Sequence, residues 1–165
     1  MDNRKIIGAT PITLNDIHFK SLLESRLFKV LQEEGLNPQY EPYKFHIWEG
    51  FKPSIPFYRK DKKTRKLKID NTKVIDITYS PDIVFDYNNY RIFIEVKPDS
   101  FTNDVYPYKQ KLFRKYMETN LRDLNPIFVR VGTVRNLKEF INILRTEYNE
   151  ESQRNITTNY RKAIS

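Results

Sequence analysis

The stretch Tyr79–Pro98 reads YSPDIVFDYNNYRIFIEVKP. Two apolar runs, Ile83 to Phe85 and Arg91 to Lys97, flank the segment DYNNY. Asn tolerates positive φ, so Asn88-Asn89 fits a two-residue hairpin turn. With the turn centred there, Tyr87 faces Tyr90, Asp86 faces Arg91, Val84 faces Phe93 and Asp82 faces Glu95. Asp86 and Arg91 then form a favourable cross-strand charge pair. Side chains alternate with period two, so Ile83, Phe85, Ile92, Ile94 and Val96 share one face, which is expected to be core. Asp82, Glu95 and Lys97 share the other, with their carboxylates only several Å apart.

Adjacent carboxylates repel, and they are tolerated when a cation lies between them or when one stays protonated. Lys97 supplies one positive charge, and a divalent ion would complete the balance. Hard oxygen ligands, an ion and a lysine are the parts of metal-assisted phosphodiester hydrolysis. The backbone carbonyl of Val96 lies between the ligands and could join them. Glu24 is the other anomalous acid, at the margin of an apolar helical stripe. Ser21-x-x-Glu24 reads as a capping box if the helix starts late; if that helix packs over the sheet, Glu24 reaches the cluster instead.

Around the hairpin, Leu23, Leu27 and Leu31 are spaced by four and predict a helix from Asn15 to about Glu34, capped by Thr13 or Asn15. Gly35 and Pro38 stop it. Tyr40 to Trp48 reads as a strand with an irregular start at Pro42. Residues 49–70 read as an insertion, either a loop or a flexible hairpin. Between Arg59 and Lys68 it carries seven basic residues, Arg59, Lys60, Lys62, Lys63, Arg65, Lys66 and Lys68, against one acid. These form either a solvated turn or a phosphate-binding surface. Val74 to Thr78 is a further strand. A helix is expected from Asn103 or Asp104, with Pro107 in its first turn and Tyr108, Leu112 and Tyr116 on one face. Its Lys109, Lys111, Arg114 and Lys115 form a solvated face or contact a nucleic-acid backbone, with Gln110 placed to help position a phosphate or Lys97. Pro126–Val131, PIFVRV, is a compact strand ended by Gly132. NLKEFINILRTEY is an amphipathic helix with Leu137, Ile141, Leu144 and Tyr148 in register. The order α-β-β-β-β-α-β-α calls for a mixed central sheet flanked by helices.

The 165 residues suit one domain, placed at 1–148, with a polar tail at 149–165 expected to be mobile. Lys and Arg number 29 against 21 acids, for a formal charge of +8. That balance favours either solubility or a polyanionic partner. The absence of cysteine excludes disulfides and cysteine-ligated metal sites, and His18 and His46 are the only histidines. A metal would therefore sit on oxygen ligands, which points to Mg2+ or Mn2+. No segment has the length to span a bilayer, so a soluble chain with no membrane partner is expected.

Pro81-Asp82 followed by Glu95-Val96-Lys97, with Glu24 on the preceding helix, resembles the PD-(D/E)XK nuclease superfamily. LLESRLFKVLQEEGLNPQYEPYKF and YSPDIVFDYNNYRIFIEVKP resemble the opening helix and catalytic hairpin of phage endonuclease I-type Holliday junction resolvases. The sequence is also similar to the endonuclease subunit of Tn7-type transposases and to Vsr-like enzymes. The resemblance covers roughly residues 20 to 131 and implies an α/β, restriction-endonuclease-like core. It further implies metal binding by Glu24, Asp82 and Glu95, a catalytic Lys97, DNA as substrate, 5′-phosphate products and a homodimer. Its cellular place would be the cytoplasm, the host's if the chain is phage-encoded. The basic segment before the hairpin departs from the family pattern. Two other readings stay open: a sequence-specific or transposon-end nuclease, and a catalytically silent DNA-binding or packaging accessory protein.

Overall fold

The computed structural model describes residues 10–98 and 105–149. The first strands are β1 (Ile12–Leu14), β2 (Ile17–Phe19), β3 (Gln39–Tyr40) and β4 (Phe45–Trp48). They are followed by β5 (Tyr58–Lys60), β6 (Leu67–Ile69), β7 (Ile77–Tyr79), β8 (Ile83–Tyr87), β9 (Tyr90–Val96) and β10 (Pro126–Val131). The helices are α1 (Leu22–Glu33), α2 (Tyr106–Asn120) and α3 (Val134–Glu147), with a 3-10 turn at Arg122–Leu124. This is a mixed α/β fold around a central sheet.

That sheet has the order β10-β9-β8-β3. The β8–β9 hairpin has the expected register: Tyr87 opposite Tyr90, Asp86 opposite Arg91 and Val84 opposite Phe93. Asn88 takes the positive φ of 51° that the tight turn requires. Arg91 donates from two nitrogens to the two oxygens of Asp86, at 2.8 and 2.9 Å. β3 is antiparallel to β8, whereas β10 runs parallel to β9. A parallel neighbour needs a crossover, and α2 provides it.

Both faces of the hairpin are buried, which is why its apolar residues run almost without interruption. Ile83, Phe85, Ile92, Ile94 and Val96 pack with Leu27, Phe28 and Leu31 of α1 and with Leu137, Ile141 and Leu144 of α3. Val84 and Phe93 point the other way, into a cluster with Ile47, Tyr79, Tyr106, Phe113 and Met117. Phe113 is the hub of that cluster. Its ring centroid lies 4.4 Å from Tyr79, 5.3 Å from Phe128, 5.4 Å from Phe45 and 5.7 Å from Phe93.

Several local expectations are corrected. α1 starts at Leu22 rather than Asn15, because Asn15 and Asp16 both adopt positive φ, 47° and 63°, and turn β1 back onto β2. Ser21, not Thr13 or Asn15, is the N-cap, accepting the Glu24 N–H at 3.2 Å. At the other end Gly35 (φ 77°) allows the Leu36 N–H to reach the Leu31 carbonyl, and Arg145 of α3 donates to the carbonyl and carboxylate of Glu34. Tyr40–Trp48 is two strands, because Glu41 (φ 42°) and Pro42 break it: β3 joins the central sheet and β4 pairs with β7. β7 begins at Ile77; Val74 makes only an isolated bridge to Phe51. The basic segment contains an ordered hairpin, β5–β6. On α2 the buried line is Tyr106, Phe113 and Met117, while Tyr108 is 68% exposed. The helix start expected at Asn103 or Asp104 and the tail beyond Asn149 lie outside the described residues.

Truncating the aromatic hub should be costly. Phe113→Ala is expected to lower stability by about 3–5 kcal/mol, read as a lower urea midpoint at unchanged slope.

Candidate active site

The hairpin register carries Asp82 and Glu95 to one end of the sheet. Pro81, just before β8, has no N–H to extend the ladder. Beside it Asp82 acts as an acceptor: its Oδ2 accepts the Val96 N–H at 2.7 Å, while its carbonyl accepts the Glu41 N–H at 2.9 Å. The acid is thereby fixed from both neighbouring strands. Glu95 lies on the same face. Lys97 follows one pleat later, and its main chain is anchored by donation to the Val131 carbonyl at 2.9 Å.

Lys97 Nζ sits 2.9 Å from Glu95 Oε1 and 3.7 Å from Asp82 Oδ2. Asp82, Glu95 and Glu24 are all buried, at 6%, 4% and 2% exposure. Burial, followed by repulsion from Glu95, pushes the Asp82 carboxyl well above the usual carboxylate range, and Lys97 offsets only part of this. Burial works against the Lys97 ammonium, but Asp82 and Glu95 outweigh it and raise its pKa. Glu24 adds to both effects, so it stands within electrostatic reach of the pair.

Glu24 occupies the first turn of α1, where the helix N-terminus favours negative charge. The capping alternative holds in part. The Glu24 N–H is capped by Ser21, while Glu24 Oε2 accepts the Lys20 N–H at 3.1 Å and the Tyr40 hydroxyl at 2.6 Å. Tyr40 pairs with Ile83 in the sheet, which places Glu24 at the same sheet end as Asp82.

Two tyrosines serve the outer acids, and the sequence reading missed both. Tyr40 donates to Glu24 and Tyr79 donates to Glu95 Oε2. Burial, together with those carboxylates, holds both phenols above their ordinary pKa, so they remain donors. Tyr106 carries no sequence signal for either site or core. Its ring lies 5.7 Å from Lys97 Nζ and 5.8 Å from the Arg130 guanidinium. Arg130 was also overlooked, although it is the register partner of Glu95 on the parallel strand. Only tertiary pairing reveals these neighbours; Tyr79 stood next to the motif but gave no signal of its own.

The donor set is chemically that of a hard cation, all carboxylate and carbonyl oxygen. Three buried acids stand against one lysine, and the raised Asp82 pKa relieves part of that imbalance by favouring the neutral acid. The carboxylates are not gathered into a ready ligand group, however: among the described residues no three His, Asp or Glu side chains are arranged to hold a metal. Lys97 and Tyr79 engage both oxygens of Glu95, and the Val96 carbonyl receives Lys97 Nζ at 3.3 Å. Asp82 and Glu95, with the Val96 carbonyl between them, are the groups that would turn toward an ion.

The structure places the remaining expected residues elsewhere. Lys111, Arg114 and Lys115 lie exposed on α2, and Lys109 and Gln110 are half-buried there. Arg59, Lys60, Lys62, Lys63, Arg65, Lys66 and Lys68 are exposed on the β5–β6 hairpin and its turn. Comparison with protein-family models, with curated proteins and with solved structures gives no match in any of the three. Among the described residues, no helix is long and apolar enough to cross a membrane.

The raised Asp82 pKa has a thermodynamic sign. A carboxyl with a higher pKa in the folded than in the unfolded chain stabilises the fold below its unfolded pKa. It loses that contribution as pH rises through the folded value. Asp82 therefore costs stability at neutral pH. Asp82→Asn is expected to raise the thermal midpoint in EDTA at pH 7.5 by about 2–4 °C, the shift for roughly 1 kcal/mol, with the gain shrinking as pH falls toward 4. A pH series of thermal melts on both proteins checks this.

Proposed function

We propose that this chain is a magnesium-dependent DNA endonuclease with a restriction-endonuclease-like core, acting on four-way or branched DNA. The observation that carries the reading is the buried pairing of Asp82 with Glu95, bridged by Lys97 at 2.9 and 3.7 Å from their carboxylates. A purely structural role does not call for two like charges in a buried position, since apolar residues of similar size are often as stabilising or more so. The resemblance of Pro81-Asp82 and Glu95-Val96-Lys97 to the PD-(D/E)XK motif points the same way.

In this reading Asp82, Glu95 and the Val96 carbonyl would turn to hold the ion, and Glu24 would add a third carboxylate from α1 only by leaving the Tyr40 hydroxyl and the Lys20 N–H. Lewis-acid polarisation of the scissile phosphate and of water is the chemistry that bound Mg2+, or Mn2+ in its place, supplies. Lys97 exchanges its ion pair with Glu95 for the phosphate or the incoming water, and stabilises the charge that develops there. Tyr79 orients Glu95 while that exchange occurs. Lys109, Gln110, Lys111, Arg114 and Lys115 supply backbone contacts on the α2 side. Cutting two opposed strands requires two such sites, and hence a homodimer.

Cleavage of labelled DNA tests the reading, comparing a four-way junction, nicked duplex, linear duplex and single strand with magnesium or EDTA. Paired, magnesium-dependent incisions at the junction with 5′-phosphate ends are expected, slowed at least about 100-fold in Glu95→Ala/Lys97→Ala. Cutting of linear duplex alone would favour a sequence-selective enzyme. Folded, DNA-binding protein that cuts nothing would favour an accessory role.

Metal binding has its own readout. At about 100 times its dissociation constant, Mg2+ should add about 2.7 kcal/mol of stability, and Asp82→Ala should abolish that gain. Equal stabilisation of both proteins would remove the ion from this site.

A further inference from the structure

The β5–β6 hairpin pairs with no strand of the central sheet. It lies at the far end of a two-stranded arm that begins with the β4–β7 ladder. The arm continues through paired hydrogen bonds between Phe51 and Val74 and through the Asp70 N–H to the Phe57 carbonyl. Gly50 keeps the neck tight, since a Cβ there would stand 2.4 Å from the Val74 carbonyl. Asp61 closes the tip, accepting the Thr64 N–H and hydroxyl at 2.7 and 2.8 Å.

The two faces of this hairpin differ. On one, Arg59 pairs with Asp70 at 2.9 Å and Lys68 approaches Asp61 at 3.9 Å, so the hairpin's acids are already engaged. On the other, Tyr58 lies opposite Ile69 and Lys60 opposite Leu67. The three apolar side chains of that face are 58%, 49% and 71% exposed. Eight of the 15 exposed large apolar side chains among the described residues fall between Trp48 and Ile75. An isolated two-stranded hairpin is marginal in water, so an uncovered apolar face on one calls for a partner. The charge around that face favours an anionic partner. Lys60, Lys62, Lys63, Arg65 and Lys66 surround the apolar face and the tip, and no ion pair engages them among the described residues.

We propose that this arm is a DNA-reading device that lays Tyr58, Leu67 and Ile69 against accessible base faces while the surrounding cations hold the flanking phosphates. A continuous duplex hides its base faces in stacking, whereas branch points and bulges present them. The arm therefore selects DNA with unstacked bases. Base stacking on Tyr58 and wedging by Leu67 are the physical means. The inference rests on the proposed function in taking DNA as the partner, and it is independent of the cleavage chemistry.

Fluorescence-anisotropy titrations in EDTA test it, so that the outcome does not depend on cutting. The full chain is titrated with a continuous duplex, the same duplex with a central unpaired bulge, and a four-way junction. Tyr58→Ser/Leu67→Ser should weaken binding to bulge and junction about tenfold, change duplex binding less than about twofold, and leave the salt slope unchanged. Lys62→Gln/Lys63→Gln/Arg65→Gln/Lys66→Gln should weaken all three and lower the salt slope by about 3–4. Unchanged thermal melts establish that both variants fold, as expected for exposed positions. The proposal is overturned if Tyr58→Ser/Leu67→Ser keeps the native preference for unpaired DNA. It is also overturned if sedimentation without DNA shows a dimer that this variant converts to monomer, because the face would then be covered by a second copy.

Discussion

Pairing of β8 with β9 in a single register is the constraint on which the molecule turns. Side chains alternate across a strand, so a slip of one residue would exchange the two faces. Here neither face could absorb the exchange. One packs on α1 and α3 through Ile83, Phe85, Ile92, Ile94 and Val96, and the other meets the aromatic cluster around Phe113. Asn88 at the turn, the Asp86–Arg91 pair beside it and the Asp82 side chain on the Val96 N–H pin the register at both ends. The exposed Asp86–Arg91 pair adds little energy. Its value lies in specifying which residues face each other.

The same register confines two like charges. Burying ionised groups is expensive, and the attraction of one lysine repays only part of the cost. Lys97, the Tyr79 hydroxyl and the Val96 N–H divide the oxygens of Glu95 and Asp82 between them, so each carboxylate is partly satisfied. Glu24 gains the same from Tyr40 and from the N-terminus of α1. A packed apolar cluster in this place would hold the fold together at least as well. In the proposed nuclease reading, retaining charge there is a stability–function compromise.

The hairpin was legible because three independent signals agreed: alternation, a turn-forming Asn pair and a charge pair across it. α3 was legible because its stripe is regular. The start of α1 was not, because Leu23-Leu27-Leu31 fixes a helix but says little about its first turn. The left-handed Asn15 and Asp16 decide the matter, and Asn15 reads equally well as a cap. Tyr40–Trp48 looked like one strand because β propensity is local, whereas its division between two sheets depends on distant partners, Ile83 for Tyr40 and Tyr79 for Phe45. The acid cluster could be inferred from spacing. The tyrosines that hold it and Arg130 beside it arrive by long-range pairing, which leaves no periodic trace. Resemblance to a nuclease motif suggests the roles proposed for the acids and the lysine, and geometry supplies their neighbours.

α1 and α3 are far apart in the chain, and this sets an order of events during synthesis. The apolar stripe of α1 is covered by Leu137, Ile141 and Leu144, and its last turn is closed by Arg145, 111 positions after Glu34. At a synthesis rate of about 5–20 residues per second, α1 waits roughly 5–20 s for that partner. During that interval the β8–β9 hairpin is the part of the core that can cover the α1 stripe, and the side that α3 will take stays open. Closure of α1 on α3 gives the described fold a step that waits until Arg145 has been made.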